Sequence, residues 1–152
     1  MGTKTGYRRI VAENQHINDS WTPEGCSPRH VWTFVRHGSR YGGDDDIMMM
    51  MDYLPQLRDK ILASENNKLC SVDHELLKYW NVAPDLTPEL DKNLHKEGED
   101  ESRLMGQRYA KRFPKLLGEY DESKFRMRAT YKQRAQKTGE MFINGLWTEE
   151  VA

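Results

Sequence analysis

Arg36, His37, Gly38, Ser39 and Arg40 set one imidazole between two guanidiniums. A neutral imidazole is nucleophilic near pH 7, so His37 can accept a phosphoryl group and pass it to water. Each guanidinium stays charged and offers a planar fork of donors that fits two phosphate oxygens, which suits Arg36 and Arg40 to holding the anion. Gly38 has no Cβ, so a positive φ is open to it and the backbone N–H groups of the turn can approach an anion. The competing reading of the same five residues is a solvated Arg/His turn that caps a strand.

The element that must position them is Val31, Trp32, Thr33, Phe34, Val35, a β-branched and aromatic run that reads as a buried strand. Open α/β sheets place their chemistry at such strand ends. A second junction of the same kind follows later. Phe125 to Tyr131 alternates like a strand, and Arg134, Ala135, Thr138, Met141, Phe142, Gly145 and Leu146 then recur at helical spacing. A helix N-terminus is already positive, so an arginine at 134 is easier to explain if an anion binds there.

Between the junctions the pattern is helical. Ile47, Met50, Leu54, Leu57 and Ile61 form a core-facing stripe, with Asp46 as the expected N-cap and Pro55 as a kink or the start of a second helix. The Met48 to Met51 run reads as adaptable packing. Thr87-Pro88-Glu89 is a helix-start signal, and a long helix is expected from about Lys96 to Arg112, stopping before Pro114. Its acidic residues Glu97, Glu99, Asp100 and Glu101 read as a solvated face.

The length of 152 residues suits one domain, and the net charge of −1 implies neither a nucleic-acid nor a membrane partner. The hydrophobic fraction of 37% is low and the charged fraction of 31% high, against roughly 45–50% and about 25% for a typical soluble domain. A complete core is not expected. No apolar run is long enough to span a membrane, and Met1 to Ile10 is polar and basic, which read alone implies the cytosol. Cys26 and Cys70 allow one disulfide or two free thiols. No metal-ligand spacing occurs, so neither metal nor other cofactor is expected. Asn18-Asp19-Ser20 fits an N-glycosylation acceptor.

Arg36-His37-Gly38-x-Arg40 resembles the signature of the histidine phosphatase superfamily. Leu94-x-x-x-Gly98 leading to Gly106 resembles a helix of the same superfamily. The Gly-Thr-Lys-Thr-x-Tyr opening at 2–7 and Gly25-Cys26-Ser27-Pro28 are similar to the start of animal multiple inositol polyphosphate phosphatases, within the histidine acid phosphatase branch. One departure stands out. Where that pattern continues with Pro after Tyr41, this chain has Gly42 and Gly43, which should loosen the exit from the turn.

The resemblance implies an α/β fold, part of a phosphoglycerate-mutase-like doubly wound sheet with a helical insertion and its C-terminal part missing. The expected division is an N-terminal arm at 1–30, the catalytic strand and turn at 31–43, the insertion at 44–124, and a second strand and helix at 125–152. It implies a phosphohistidine on His37, with Arg36, Arg40 and Arg134 holding the phosphate and Arg128 as runner-up to Arg134. Lys4, Arg128 and Lys132, with Arg126 and Lys137, are candidates to meet peripheral phosphates. The implied substrates are inositol hexakisphosphate and lower inositol phosphates, with 2,3-bisphosphoglycerate as a further candidate. The implied location is the lumen of the endoplasmic reticulum or the cell exterior, which would suit Asn18 and a disulfide at Cys26. The superfamily's proton donor, a His-Asp or His-Ala-Glu triplet, is not in the sequence; His95-Lys96-Glu97 is the nearest spelling. The chain is therefore expected to be weakly folded and poorly active. A broad acid phosphatase and a non-catalytic anion-binding fragment are the rival readings.

Overall fold

Residues 9–10 and 24–147 are described in a computed structural model of the chain. The opening at 2–7 with Lys4, and the acceptor triplet at Asn18, lie outside the described residues. Contacts divide the chain into two units, Tyr41–Lys92 and, on either side of it in sequence, Met1–Arg40 with Asn93–Ala152.

In the unit Tyr41–Lys92, helix α1 (Asp44–Leu62) starts at Gly43. The cap is thus three residues earlier than expected. Asp44, Asp45 and Asp46 fill the first turn, where acidic groups complement the positive helix end, and Asp46 accepts the Gly43 N–H at 3.3 Å. Ile47 is fully buried, while Met48, Met49 and Met51 face solvent rather than packing. Pro55 lies inside the helix without ending it. Helix α2 (Ser71–Tyr79) is capped by Cys70, whose Sγ accepts the Asp73 N–H at 3.4 Å. Arg58 ties α1 to the end of α2, donating to the Trp80 carbonyl and Asn81 Oδ1, both at 2.8 Å. A 3₁₀ turn, Pro88–Leu90, follows Thr87 as the Thr-Pro signal implied. Cys26 and Cys70 are both free thiols.

The other unit is built on α3 (Lys96–Arg112), the short α4 (Pro114–Leu117) and α5 (Gln133–Trp147). The bounds of α3 are those expected. Helices α3 and α5 pack on each other where two glycines meet: a Cβ on Gly106 would lie 2.2 Å from the Phe142 carbonyl oxygen, and one on Gly145 would lie 2.0 Å from that of Arg103. Beside this crossing Tyr109 sits edge-on to Phe142 at 5.5 Å. Trp147 closes the end of α5, donating its indole N–H to the Leu117 and Gly118 carbonyls and packing on Phe125 and Tyr120. In the turn between, hydrogen bonds from Lys124 and Ser123 hold the Asp121 carboxyl at about 2.

The doubly wound α/β sheet does not form. Among the described residues there is no strand, and the one piece of β pairing is an isolated antiparallel bridge between Arg40 and Leu94. Val31 to Phe34 alternates, with Val31 and Thr33 half-buried, but Val35 breaks the pattern by being exposed, and Trp32 and Phe34 are 78% and 86% exposed and stack on each other instead. β-propensity measures how well a side chain fits a pleated surface, and a strand exists only through its ladder to a neighbour. Among the described residues no strand pairs with this run. Phe125 to Tyr131 fails as a strand for the same reason, with Phe125 drawn into the aromatic cluster of Trp147.

Candidate functional site

The signature turn is held from behind by two helices. From α5, Thr138 Oγ1 accepts the Gly38 N–H at 3.1 Å. From α3, Glu101 Oε2 accepts both the Ser39 N–H at 3.2 Å and the Ser39 hydroxyl at 2.8 Å. Glu101 and Thr138 are 7% and 3% exposed, so these bonds form where water does not compete well. On the other side of the turn the His95 N–H donates to the Ser39 carbonyl at 3.0 Å, and the bridge to Leu94 holds Arg40. Leu94 in turn donates its N–H to Gln133 Oε1 at 3.0 Å, so the first residue of α5 also fastens this stretch.

Two expectations about the turn are corrected. Gly38 does not take a positive φ; among the described glycines Gly25 alone does. What requires glycine at 38 is space, because a Cβ there would lie 2.5 Å from the Gly98 carbonyl oxygen and 2.8 Å from its Cα. Gly98 is the reciprocal case, since its Cβ would lie 2.2 Å from the Ser39 carbonyl oxygen. The turn's amides are not an anion nest either. Those of Gly38 and Ser39 are both spent on Thr138 and Glu101, which leaves these two donors turned away from an anion in front of the turn.

The imidazole has a defined tautomer. His37 Nδ1 lies 2.8 Å from the carbonyl oxygen of Gly38, and a carbonyl can only accept, so Nδ1 carries the proton. In the neutral ring this leaves the lone pair on Nε2. The arrangement can present a nucleophilic nitrogen with its direction already set.

The guanidiniums fall as follows. Arg36 and Arg40 flank His37 and are exposed. Arg134 is half-buried in the first turn of α5 and lies one helical turn before Thr138, on the helix face that meets Gly38. Arg128 is exposed in the irregular segment before α5. Lys132 has its ammonium 4.6 Å from the centre of the Tyr131 ring, and its carbonyl accepts the Ala135 and Gln136 N–H groups at the start of α5. Lys137 is paired with Glu140 at 3.0 Å, which holds its ammonium above the ordinary lysine range. His95, the nearest spelling of a donor triplet, uses Nδ1 to accept the Glu97 N–H at 3.0 Å and so caps α3. Among the described residues no group of three His, Cys, Asp or Glu could hold a metal ion, and no helix is long and apolar enough to cross a membrane.

Glu101 and Thr138 were not singled out by sequence reasoning. Glu101 does not belong to the solvated acidic face expected of its run but is buried against Ser39; it lies three residues after Gly98, on the helix face that a close backbone approach would use. Ser102, beside it, donates its hydroxyl to the Gly98 carbonyl at 2.6 Å.

The family profile of the histidine phosphatase superfamily (branch 2) matches residues 29–151. Multiple inositol polyphosphate phosphatase 1 of Drosophila melanogaster is 25% identical over 161 aligned positions, covering 100% of this chain and 34% of that protein. The chain thus spans about a third of the length of this curated relative. No solved structure matches the chain.

Proposed function

The chain belongs to branch 2 of the histidine phosphatase superfamily, and on that premise we propose that it carries the phosphoryl-accepting part of a phosphomonoester hydrolase acting on inositol polyphosphates. His37 Nε2 attacks phosphorus, the ester P–O bond breaks, and the leaving oxygen takes a proton from solvent water. Water then attacks phosphorus, the P–N bond breaks, and inorganic phosphate leaves with the imidazole restored. Arg36, Arg40 and Arg134 neutralise the charge on the equatorial oxygens, which is where phosphoryl transfer gains most from a protein. The observation that carries the reading is the hydrogen bond from His37 Nδ1 to the Gly38 carbonyl, because it frees Nε2 within an arginine-flanked turn.

Inositol hexakisphosphate and lower inositol phosphates are the proposed substrates, with 2,3-bisphosphoglycerate as a further one and Arg128 and Lys132 as outer cations. Support comes from the name of the fly relative, together with the similar opening at 2–7. The proposed location is the secretory pathway, with Asn18 as its glycosylated marker.

The test is to trap phosphorus-32 on the 152-residue chain from labelled inositol hexakisphosphate, quenching in alkali, where phosphohistidine survives. Label is expected on His37 and is absent from His37→Ala. Phosphate binding without label would favour a non-catalytic anion-binding chain. Faster labelling from p-nitrophenyl phosphate than from any inositol phosphate would favour a broad acid phosphatase. Equal turnover by His37→Ala and the parent would overturn the mechanism.

A further inference from the structure

Glu101 holds the peptide unit on which the nucleophile's tautomer depends. The Gly38 carbonyl and the Ser39 N–H belong to one peptide plane. No peptide bond among the described residues is cis, so these two groups point to opposite sides of that plane. On one side the carbonyl receives His37 Nδ1 at 2.8 Å. On the other the N–H donates to Glu101 Oε2 at 3.2 Å.

We infer that Glu101 is a positioning residue that fixes the His37 tautomer by anchoring the Gly38–Ser39 peptide plane. Three observations combine here. Glu101 is buried, so its carboxylate is a strong and directional acceptor. The Ser39 hydroxyl donates to the same oxygen at 2.8 Å, so Oε2 lies directly against Ser39. Gly38 and Gly98 approach so closely that the turn has little room to move as a body, so rotation of the peptide plane is the freedom left to it. Without the anchor the plane can rotate, the carbonyl leaves Nδ1, and the ring reverts toward the Nε2–H form that free neutral imidazole prefers. That form has no lone pair on the attacking nitrogen.

The inference rests on the phosphohistidine reading for its meaning, but its test does not need turnover. Nitrogen-15 spectra of the His37 ring in the unliganded 152-residue chain, at a pH where the ring is neutral, read the tautomer directly. The parent is expected to carry its proton on Nδ1. Ser39→Ala keeps the peptide N–H and is expected to match it, as is Glu101→Gln, whose amide oxygen accepts in place of the carboxylate. Glu101→Asp withdraws the acceptor by about one bond length, roughly 1.5 Å, beyond hydrogen-bond reach, and the Nε2–H form is expected to become the major one.

Where turnover is measurable, kcat of Glu101→Asp should fall about 10- to 100-fold, by analogy with the loss of groups that orient metal-bound histidines, with KM within about twofold. A Glu101→Asp spectrum identical to the parent's, at unchanged helical circular dichroism, overturns the inference. So does Ser39→Ala shifting the ring as far as Glu101→Asp. Independently of any variant, a parent ring protonated on Nε2 overturns it. Failure of the phosphohistidine reading would show instead as missing alkali-stable label, whatever the tautomer.

Discussion

Arg134 enters the phosphate assignment through Thr138. The two are one helical turn apart, and Thr138 accepts a hydrogen bond from Gly38. Arg128 competes for the same role on sequence grounds, but it sits in an irregular, exposed segment that no described contact fixes to the turn. A hydrogen bond to a charged group contributes about 1.5–3 kcal/mol. Arg134→Ala should therefore weaken inhibition by inorganic phosphate about 10- to 100-fold, while Arg128→Ala should change it less than about twofold. Arg134→Lys should recover part of the loss, because a lysine keeps the charge but not the planar fork. If Arg128→Ala costs more than Arg134→Ala in the same competition assay, the third guanidinium has been misassigned. At this scale the motif residues were legible from their types and spacing, but the reason for Gly38 was not. Sequence suggests conformational freedom at any glycine, whereas the close approach of Gly98 becomes visible only once α3 is seated behind the turn.

Helices were legible as elements and strands were not, for a physical reason. The signals of α3 are local: apolar residues at helical spacing between Leu94 and Phe113, acidic residues in its first turn, and a proline two residues past its end. Val31 to Val35 has equally strong local signals, but a strand is a property of a pair. How α3 and α5 approach was not legible either, because Gly106 and Gly145 look like weak points in a helix until they are seen facing each other. A glycine-to-alanine change inside a helix should gain about 1 kcal/mol from propensity alone. At Gly145 the new Cβ would lie 2.0 Å from the Arg103 carbonyl oxygen, a backbone atom that can yield only if the helices separate. Overpacking of this kind costs about 1–3 kcal/mol or more, so Gly145→Ala should be net destabilising. Gly139→Ala, on the same helix, meets the flexible end of Met127 and should be neutral or stabilising. Urea midpoints followed by helical circular dichroism check both. A raised midpoint for Gly145→Ala would mean that the crossing is looser than these contacts require.

Across the whole molecule, the composition and the buried core agree. Of the large apolar side chains described, Ile47, Leu94 and Leu117 are buried, whereas Trp32, Phe34, Val72, Leu76, Tyr79 and Tyr131 are each more than half exposed. A chain with a low apolar fraction that leaves such side chains in water has little hydrophobic free energy left to set against chain entropy. The two kinds of position should therefore respond oppositely to substitution. Ile47→Ala removes a fully buried side chain and should cost about 2–5 kcal/mol, a large fraction of the stability such a core can supply. Trp32→Ser and Phe34→Ser, singly or together, remove a stacked pair with little to pack against and should change the unfolding free energy read from urea titration by no more than about 0.5 kcal/mol. The same double variant should bind much less of a hydrophobic dye such as anilinonaphthalene sulfonate, because it deletes an apolar patch of the sort that soluble monomers seldom leave open. Should Trp32→Ser lower the midpoint as far as Ile47→Ala, the Val31 to Val35 run would have to be packed in solution, and the absence of a sheet around it would need to be abandoned.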